Sequence, residues 1–170
     1  RCAEAVRRHR AKAARRGWTD GFTAAARVRA YALATVQGRS PPECEALRAS
    51  ATSAIADLAH APKAMRSILE QRLAAVVAGT INPDVAANEA ALRLLCIRAE
   101  LIAGASSPPD DLELRREYQM RRLVETMGHG ERATPAELDD LALEWIAIGP
   151  VEPTVHDALL ARFERCRAAG

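Results

Sequence analysis

The residues best suited to chemistry lie near the start of the chain. Arg7, Arg8, Arg10, Lys12, Arg15 and Arg16 are clustered around His9, and Trp18 and Phe22 follow directly. Arginines gathered on one helix neutralise phosphates and release counterions, which gives salt-sensitive nucleic-acid binding. An aromatic ring beside them stacks on an unpaired base. Residues 1–39 hold ten Arg and Lys against only Glu4 and Asp20, and the remaining fourteen basic residues face twenty acidic ones. The formal net charge of +2 therefore hides a basic end and an acidic body. RNA or single-stranded DNA is the partner this pattern implies. The competing structural reading makes the same segment a solvated helix, with Trp18 and Phe22 as its first core contacts.

Two further arginines fall at apolar angles of a helical wheel. Arg29 lies between Leu33 and Val36, and Arg98 between Leu94 and Ile102. A guanidinium placed there needs a partner, because desolvating a lone charge is costly. Ion pairs to acidic residues of neighbouring helices are expected, with Glu113, Glu117 and Glu125 as candidates for Arg98. The alternative use is a site for an anionic ligand.

Other chemistries find little support. His9, His60, His129 and His156 are far apart, and none has a His or Cys four residues away to share a metal. Asp110–Asp111 and Asp139–Asp140 fall in first helical turns, where acids favour the helix dipole. Cys2, Cys44, Cys96 and Cys166 form no C-x-x-C pattern, and Cys44 and Cys96 read as reduced core residues of a cytoplasmic protein. There is no phosphate-binding loop, dinucleotide fingerprint or nucleophile elbow. No metal, cofactor or catalytic residue is therefore expected. No apolar run is long enough to span a membrane.

The elements that must position these residues are helical. Alanine is abundant and aromatics make up 4% of the chain, a composition that favours helix over strand. Prolines mark helix starts after a capping residue at Ser40–Pro41, Asn82–Pro83, Ser107–Pro108 and Thr134–Pro135. Ser40 with Glu43 and Thr134 with Glu137 fit the capping box. Gly38, Gly79, Gly104, Gly128 and Gly149 stand where helices should stop. These signals predict roughly eight helices, near 2–16, 20–37, 41–60, 62–78, 83–103, 108–127, 135–148 and 153–168.

Apolar stripes at helical spacing support this division. They run through Leu47, Ala51, Ile55 and Leu58, through Met65, Leu69, Leu73 and Val76, through Leu138, Leu141, Trp145 and Ile148, and through Val155, Leu159, Phe163 and Cys166. The 83–103 helix is apolar nearly all round, with Glu89, Arg93 and Glu100 as its polar stripe, and is expected at the centre. The fold class is thus all-α, a multi-helix bundle with short loops that ends in a helical hairpin. Its organisation is a basic helical segment 1–39, a bundle 40–130 and the hairpin 131–170, the last two forming one unit.

Two stretches carry a resemblance. Leu95 to Leu123 contains the elements Leu95 to Arg98 with Glu100, and Ser107 to Asp110. Glu144 to Phe163 contains Trp145, Gly149, Pro150 and Phe163. Both resemble proteobacterial proteins of the bacterial domain-of-unknown-function family 349, and the second is similar to that family's repeat. Where the family carries Arg or Lys after Gly-Pro, this chain has Val151-Glu152-Pro153-Thr154, and Leu160 replaces a second aromatic. The resemblance implies helical domains in tandem within a longer cytoplasmic protein, and no agreed activity. The start at Arg1 likewise suggests a piece of something longer. The functional expectation is a non-enzymatic helical interaction module of a larger bacterial protein that binds protein. The alternative is a nucleic-acid-associated protein contacting its ligand through the basic segment.

Overall fold

The longest element starts with the basic segment and does not stop where the sequence suggested. In the computed structural model, which describes residues 2–125 and 135–169, α1 (Cys2–Val36) is one continuous helix of 35 residues. The break expected between residues 16 and 20 is absent, and Gly17 and Gly21 serve close packing inside the helix. A Cβ at Gly17 would lie 2.2 Å from the His60 carbonyl oxygen, and one at Gly21 would lie 1.9 Å from the Met65 sulfur. The two glycines, one helical turn apart, form a notch that receives the segment leading into the third helix. Eight expected helices thus become seven, with one short 3-10 turn, and the described residues contain no strand.

The other helices follow their capping chemistry. α2 (Pro41–Ala56) begins as expected: the Ser40 backbone N–H and hydroxyl both donate to Glu43, at 3.2 and 2.7 Å. α3 (Lys63–Ala78) and α4 (Val85–Ala103) end at Gly79 and Gly104, both in the left-handed region at φ +68°. α4 starts two residues later than Pro83 because Asp84 takes the capping role, accepting from the Ala87 N–H at 2.9 Å. Asn82 instead accepts from the Asp84 N–H.

Ser107–Pro108 leads into a 3-10 turn (Pro109–Asp111), and α5 (Leu112–Glu125) follows. α6 (Pro135–Ala147) and α7 (Pro153–Ala169) complete the bundle. Thr134, Gly128 and His129 lie outside the described residues.

Two groups of helices meet at the C-terminal pair. α1 packs on α2 and α3, and α4 lies along α7. α6 touches α3, α4 and α1, so α6 and α7 are the elements that reach both groups. α4 is buried through Asn88, Leu92, Leu95, Cys96, Ile97, Ala99 and Glu100. Glu100 therefore leaves the solvent stripe expected for it and faces inward. α6 and α7, joined by a short turn, diverge along different neighbours and meet through side chains. Trp145 stacks on Phe163 with ring centroids 4.8 Å apart, and both are fully buried.

The expected stripes supply the core: Ala51, Ile55 and Leu58; Met65, Leu69 and Val76; Leu138, Leu141 and Trp145; Leu159, Phe163 and Cys166. Cys96 and Cys166 are buried free thiols, and burial pushes Cys96 up to about 12. Cys44 is only half-buried, contrary to its expected core place, because it sits in the first turn of α2 beside the Arg39 carbonyl.

Candidate functional site

A row of rings runs through the middle of the molecule with an arginine at each end. Trp18 lies 6.2 Å from Phe22, Phe22 meets Phe163 edge-on at 6.3 Å, Phe163 stacks on Trp145, and Trp145 lies 6.2 Å from His156. Aromatic pairs at these separations add modestly to the stabilisation from burial. At the outer end the Arg167 guanidinium lies 4.3 Å above the Trp18 ring and is held by Asp139 at 2.8 Å. At the inner end Arg29 meets His156.

The basic segment thus reaches the core through Trp18. Lys12, Arg15 and Arg16 are exposed on α1, and Arg16 has only a loose pair with Asp20 at 3.8 Å. Arg7, Arg8 and Arg10 belong to the same helix, and their side chains lie outside the described residues. Trp18 is half-buried and lines a small crevice with Arg15, Thr19, Glu164 and Arg167. One face of its ring is covered by Arg167, so it is not the free stacking platform the sequence suggested.

Arg29 departs from its expectation. It is 4% exposed, and among the described residues no carboxylate pairs with it. Its Nε donates to the Ile148 carbonyl at 3.2 Å, Nη2 donates to the Trp145 carbonyl, and Nη1 faces His156 Nε2 at 3.0 Å. These carbonyls lie at the end of α6, where the Trp145 carbonyl also accepts from the Ile148 N–H at 3.3 Å and positive charge is favoured by the helix dipole. Burial, assisted by Arg72, pushes Arg29 down to about 9, which leaves it charged at neutral pH.

Two other arginines treat helix ends the same way. Arg66 donates to the Ile55 carbonyl in the last turn of α2 and to the Leu58 carbonyl just beyond it, and Arg115 donates to Ala105 after α4 at 2.7 Å. Sequence spacing carried no sign of these roles, because each arginine comes from a different helix than the one it caps.

Arg98 does find a carboxylate, though not one of those expected. Glu144 of α6 takes both of its terminal nitrogens, one at 3.0 Å, in place of Glu113, Glu117 or Glu125. The reason is packing: Arg98 lies in a crevice between α5 and α6 lined by Tyr118, Arg122 and Glu144, and Glu144 is the carboxylate it reaches.

The densest charge cluster was not foreseen. Arg162 of α7, 8% exposed, donates to both Glu100 oxygens and to Asp111. Ser107 donates to Glu100 and accepts from Arg115 at 3.0 Å. Arg93, paired with Glu89 at 2.9 Å, approaches Asp111 at 3.6 Å. Asp111 is therefore a buried ionic partner and not a simple dipole complement. Burial would lower Arg162, but its hydrogen bonds to Glu100 and Asp111 raise it well above the usual range.

The Gly149–Pro150 turn is fixed by one more residue that sequence reasoning passed over. Asn88 Nδ2 donates to the Pro150 carbonyl at 3.1 Å and would collide with a Cβ at Gly149, at 2.6 Å.

The outer face offers a different surface. Between α2 and α3 an open apolar groove of about 610 Å³ is lined by Thr52, Ile55, Ala56, Leu73, Ala74 and Val77, with Arg66 and Glu70 at its edges. It continues past Thr52 and Val77 toward Ala49 and Arg48. Among the described residues no cluster of three His, Cys, Asp or Glu is placed to hold a metal, and no helix is long and apolar enough to cross a membrane.

No protein-family model, no curated protein and no solved structure matches this chain.

Proposed function

We propose that this chain is a non-enzymatic helical interaction module of a larger bacterial protein, acting in the cytoplasm, with the α2–α3 groove receiving an apolar helix. The groove carries the reading. α2 and α3 line an open, largely apolar groove in which Val77 is 55% exposed, and exposed apolar surface of this kind supports a contact site. An amphipathic helix satisfies such a groove through apolar residues one turn apart. The buried arginines point the same way: Arg29 and Arg162 tie helices to one another. The likeness of Trp145, Gly149, Pro150 and Phe163 to a bacterial repeat also favours a module. A photo-cross-linker at Val77, in the intact protein in its cells, is expected to form discrete adducts with one protein partner or with another part of the same polypeptide. Adducts no different from those at a control position such as Glu164 count against the groove.

A second reading has its own observation. Lys12, Arg15 and Arg16 are exposed on a single helix that carries further arginines toward its start. With Trp18 covered by Arg167, the contact would be to phosphates and not to bases. Binding of single-stranded RNA should then weaken steeply with salt, by about 0.7 in log affinity per log salt for each phosphate neutralised. Affinity unchanged in the combined Arg7→Ala, Arg8→Ala, Arg10→Ala, Lys12→Ala protein argues against it.

A further inference from the structure

The inner end of the ring row has a fixed proton count. Arg29 carries only donors, since a guanidinium has no acceptor. Its Nη1 lies 3.0 Å from His156 Nε2, so that nitrogen must be the acceptor and the imidazole must be neutral. The ring proton then sits on Nδ1, where it donates to Asp157 at 3.1 Å. His156 is 4% exposed and packs against the Trp145 ring, so water does not screen the contact.

The charges that face this point are few. α1 contributes Arg29, and α3 adds the positive field of Arg72. α7 contributes Asp157, whose side chain is 80% exposed. α6 presents only the Trp145 and Ile148 carbonyls. Glu152, before α7, turns its carboxylate to Gln37 and offers His156 its backbone carbonyl. From α4 the turn receives the neutral Asn88, while Glu100 is taken by Arg162. A proton arriving at Nε2 would turn the acceptor into a second cationic donor facing Arg29, with one solvated carboxylate to offset it.

We propose that His156 is a pH-sensitive latch on the junction of α1 with the α6–α7 turn. As the neutral Nδ1–H tautomer it holds Arg29 over the end of α6, and proton uptake at Nε2 releases Arg29 and uncovers the Trp145 and Ile148 carbonyls. The direction of response follows from the geometry. Burial, and then the Arg29 charge, hold the folded His156 below its ordinary value. The unfolded chain takes up its proton near the ordinary histidine value of about 6.5. The latch is therefore fully closed above that pH, and its stabilisation is lost as pH falls from there toward the folded value. One proton taken up on opening raises the opening constant by up to about tenfold per pH unit.

Two measurements on the full chain test this. Long-range nitrogen–proton NMR of the histidine rings should show His156 as the Nδ1–H tautomer, with a midpoint below the ordinary value and with the Trp145 indole signal moving at that same midpoint. Denaturation between neutral pH and about pH 5.5, the upper part of the histidine range, should show an acid-induced loss that His156→Gln lacks. The glutamine oxygen can accept from Arg29, and it does not titrate. An Nε2–H tautomer, a midpoint at or above the ordinary value, or an unchanged pH slope in His156→Gln overturns the proposal. Should that variant fail to fold, the tautomer and midpoint in the unsubstituted protein decide alone.

Discussion

Arg29 and Arg162 are both buried arginines, 4% and 8% exposed, in helices that meet in the core, yet they are satisfied by opposite means. Arg162 sits between two carboxylates, Glu100 and Asp111, in a net of charge-assisted bonds extended by Ser107, Arg115 and Arg93. Arg29 has no carboxylate among its described neighbours and rests on two helix-end carbonyls and one imidazole nitrogen. The contrast shows that a buried cation does not need an opposite full charge. The partial negative charge at a helix C-terminus, with a neutral histidine completing the donor count, serves in its place. The burial is similar, but the sensitivities differ. The Arg162 cluster depends on all its members being present, and the Arg29 cluster depends on the protonation state of one ring.

Three substitutions grade this comparison. Arg162→Ala should have the largest effect, leaving Glu100 and Asp111 buried together without the cation they share, with only Arg93 at 3.6 Å from Asp111. A loss of about 3–5 kcal/mol is expected in urea denaturation. Replacing Arg162, Glu100 and Asp111 together by Met, Gln and Asn should recover most of it, because no uncompensated charge then remains. A single-variant loss below about 1 kcal/mol would show that water enters the cluster.

Arg29→Met should cost less, about 1–3 kcal/mol, since it removes one donor from each of two carbonyls and an imidazole but strands no charge. The same denaturation series should show the pH dependence assigned to His156 weakened, because the Arg29 charge is gone while the burial of the ring remains. A loss equal to that of Arg162→Ala would erase the distinction between the two sites.

Arg98→Ala, which removes the half-exposed pair with Glu144, should fall at the bottom of the scale, near 0.2–1 kcal/mol. A double-mutant cycle with Glu144→Ala reads the pair directly. A coupling above about 2 kcal/mol would place this pair among the buried clusters instead.

Much of the fold was legible before the structure. Ser40 with Glu43 marked the start of α2, Gly79 and Gly104 the ends of α3 and α4, and the stripe through Trp145 the buried side of α6. These signals are local, since a cap or an apolar repeat is written within a few residues of where it acts. The break expected between residues 16 and 20 did not hold, for a corresponding reason. A helical glycine looks the same in sequence whether it ends a helix or admits a neighbouring backbone, and only the His60 carbonyl at its side tells which. Of the sites, the exposed basic face was readable because charge density is compositional. The partners of Arg29, Arg98 and Arg162 were not, because each lies 46 or more residues away in the chain.

The sequence by itself determined an all-helical chain, most of its helix limits, the apolar face of each helix and the gathering of positive charge at one end. Each of these follows from backbone capping and side-chain periodicity, which act over a turn or two. The tertiary structure alone decided that α1 runs unbroken past Gly17, that Arg29 caps α6 while Arg162 clasps Glu100 and Asp111, and that Arg167 covers Trp18. Those outcomes depend on which helix faces meet, and packing sets that through shape and desolvation between residues distant in the chain.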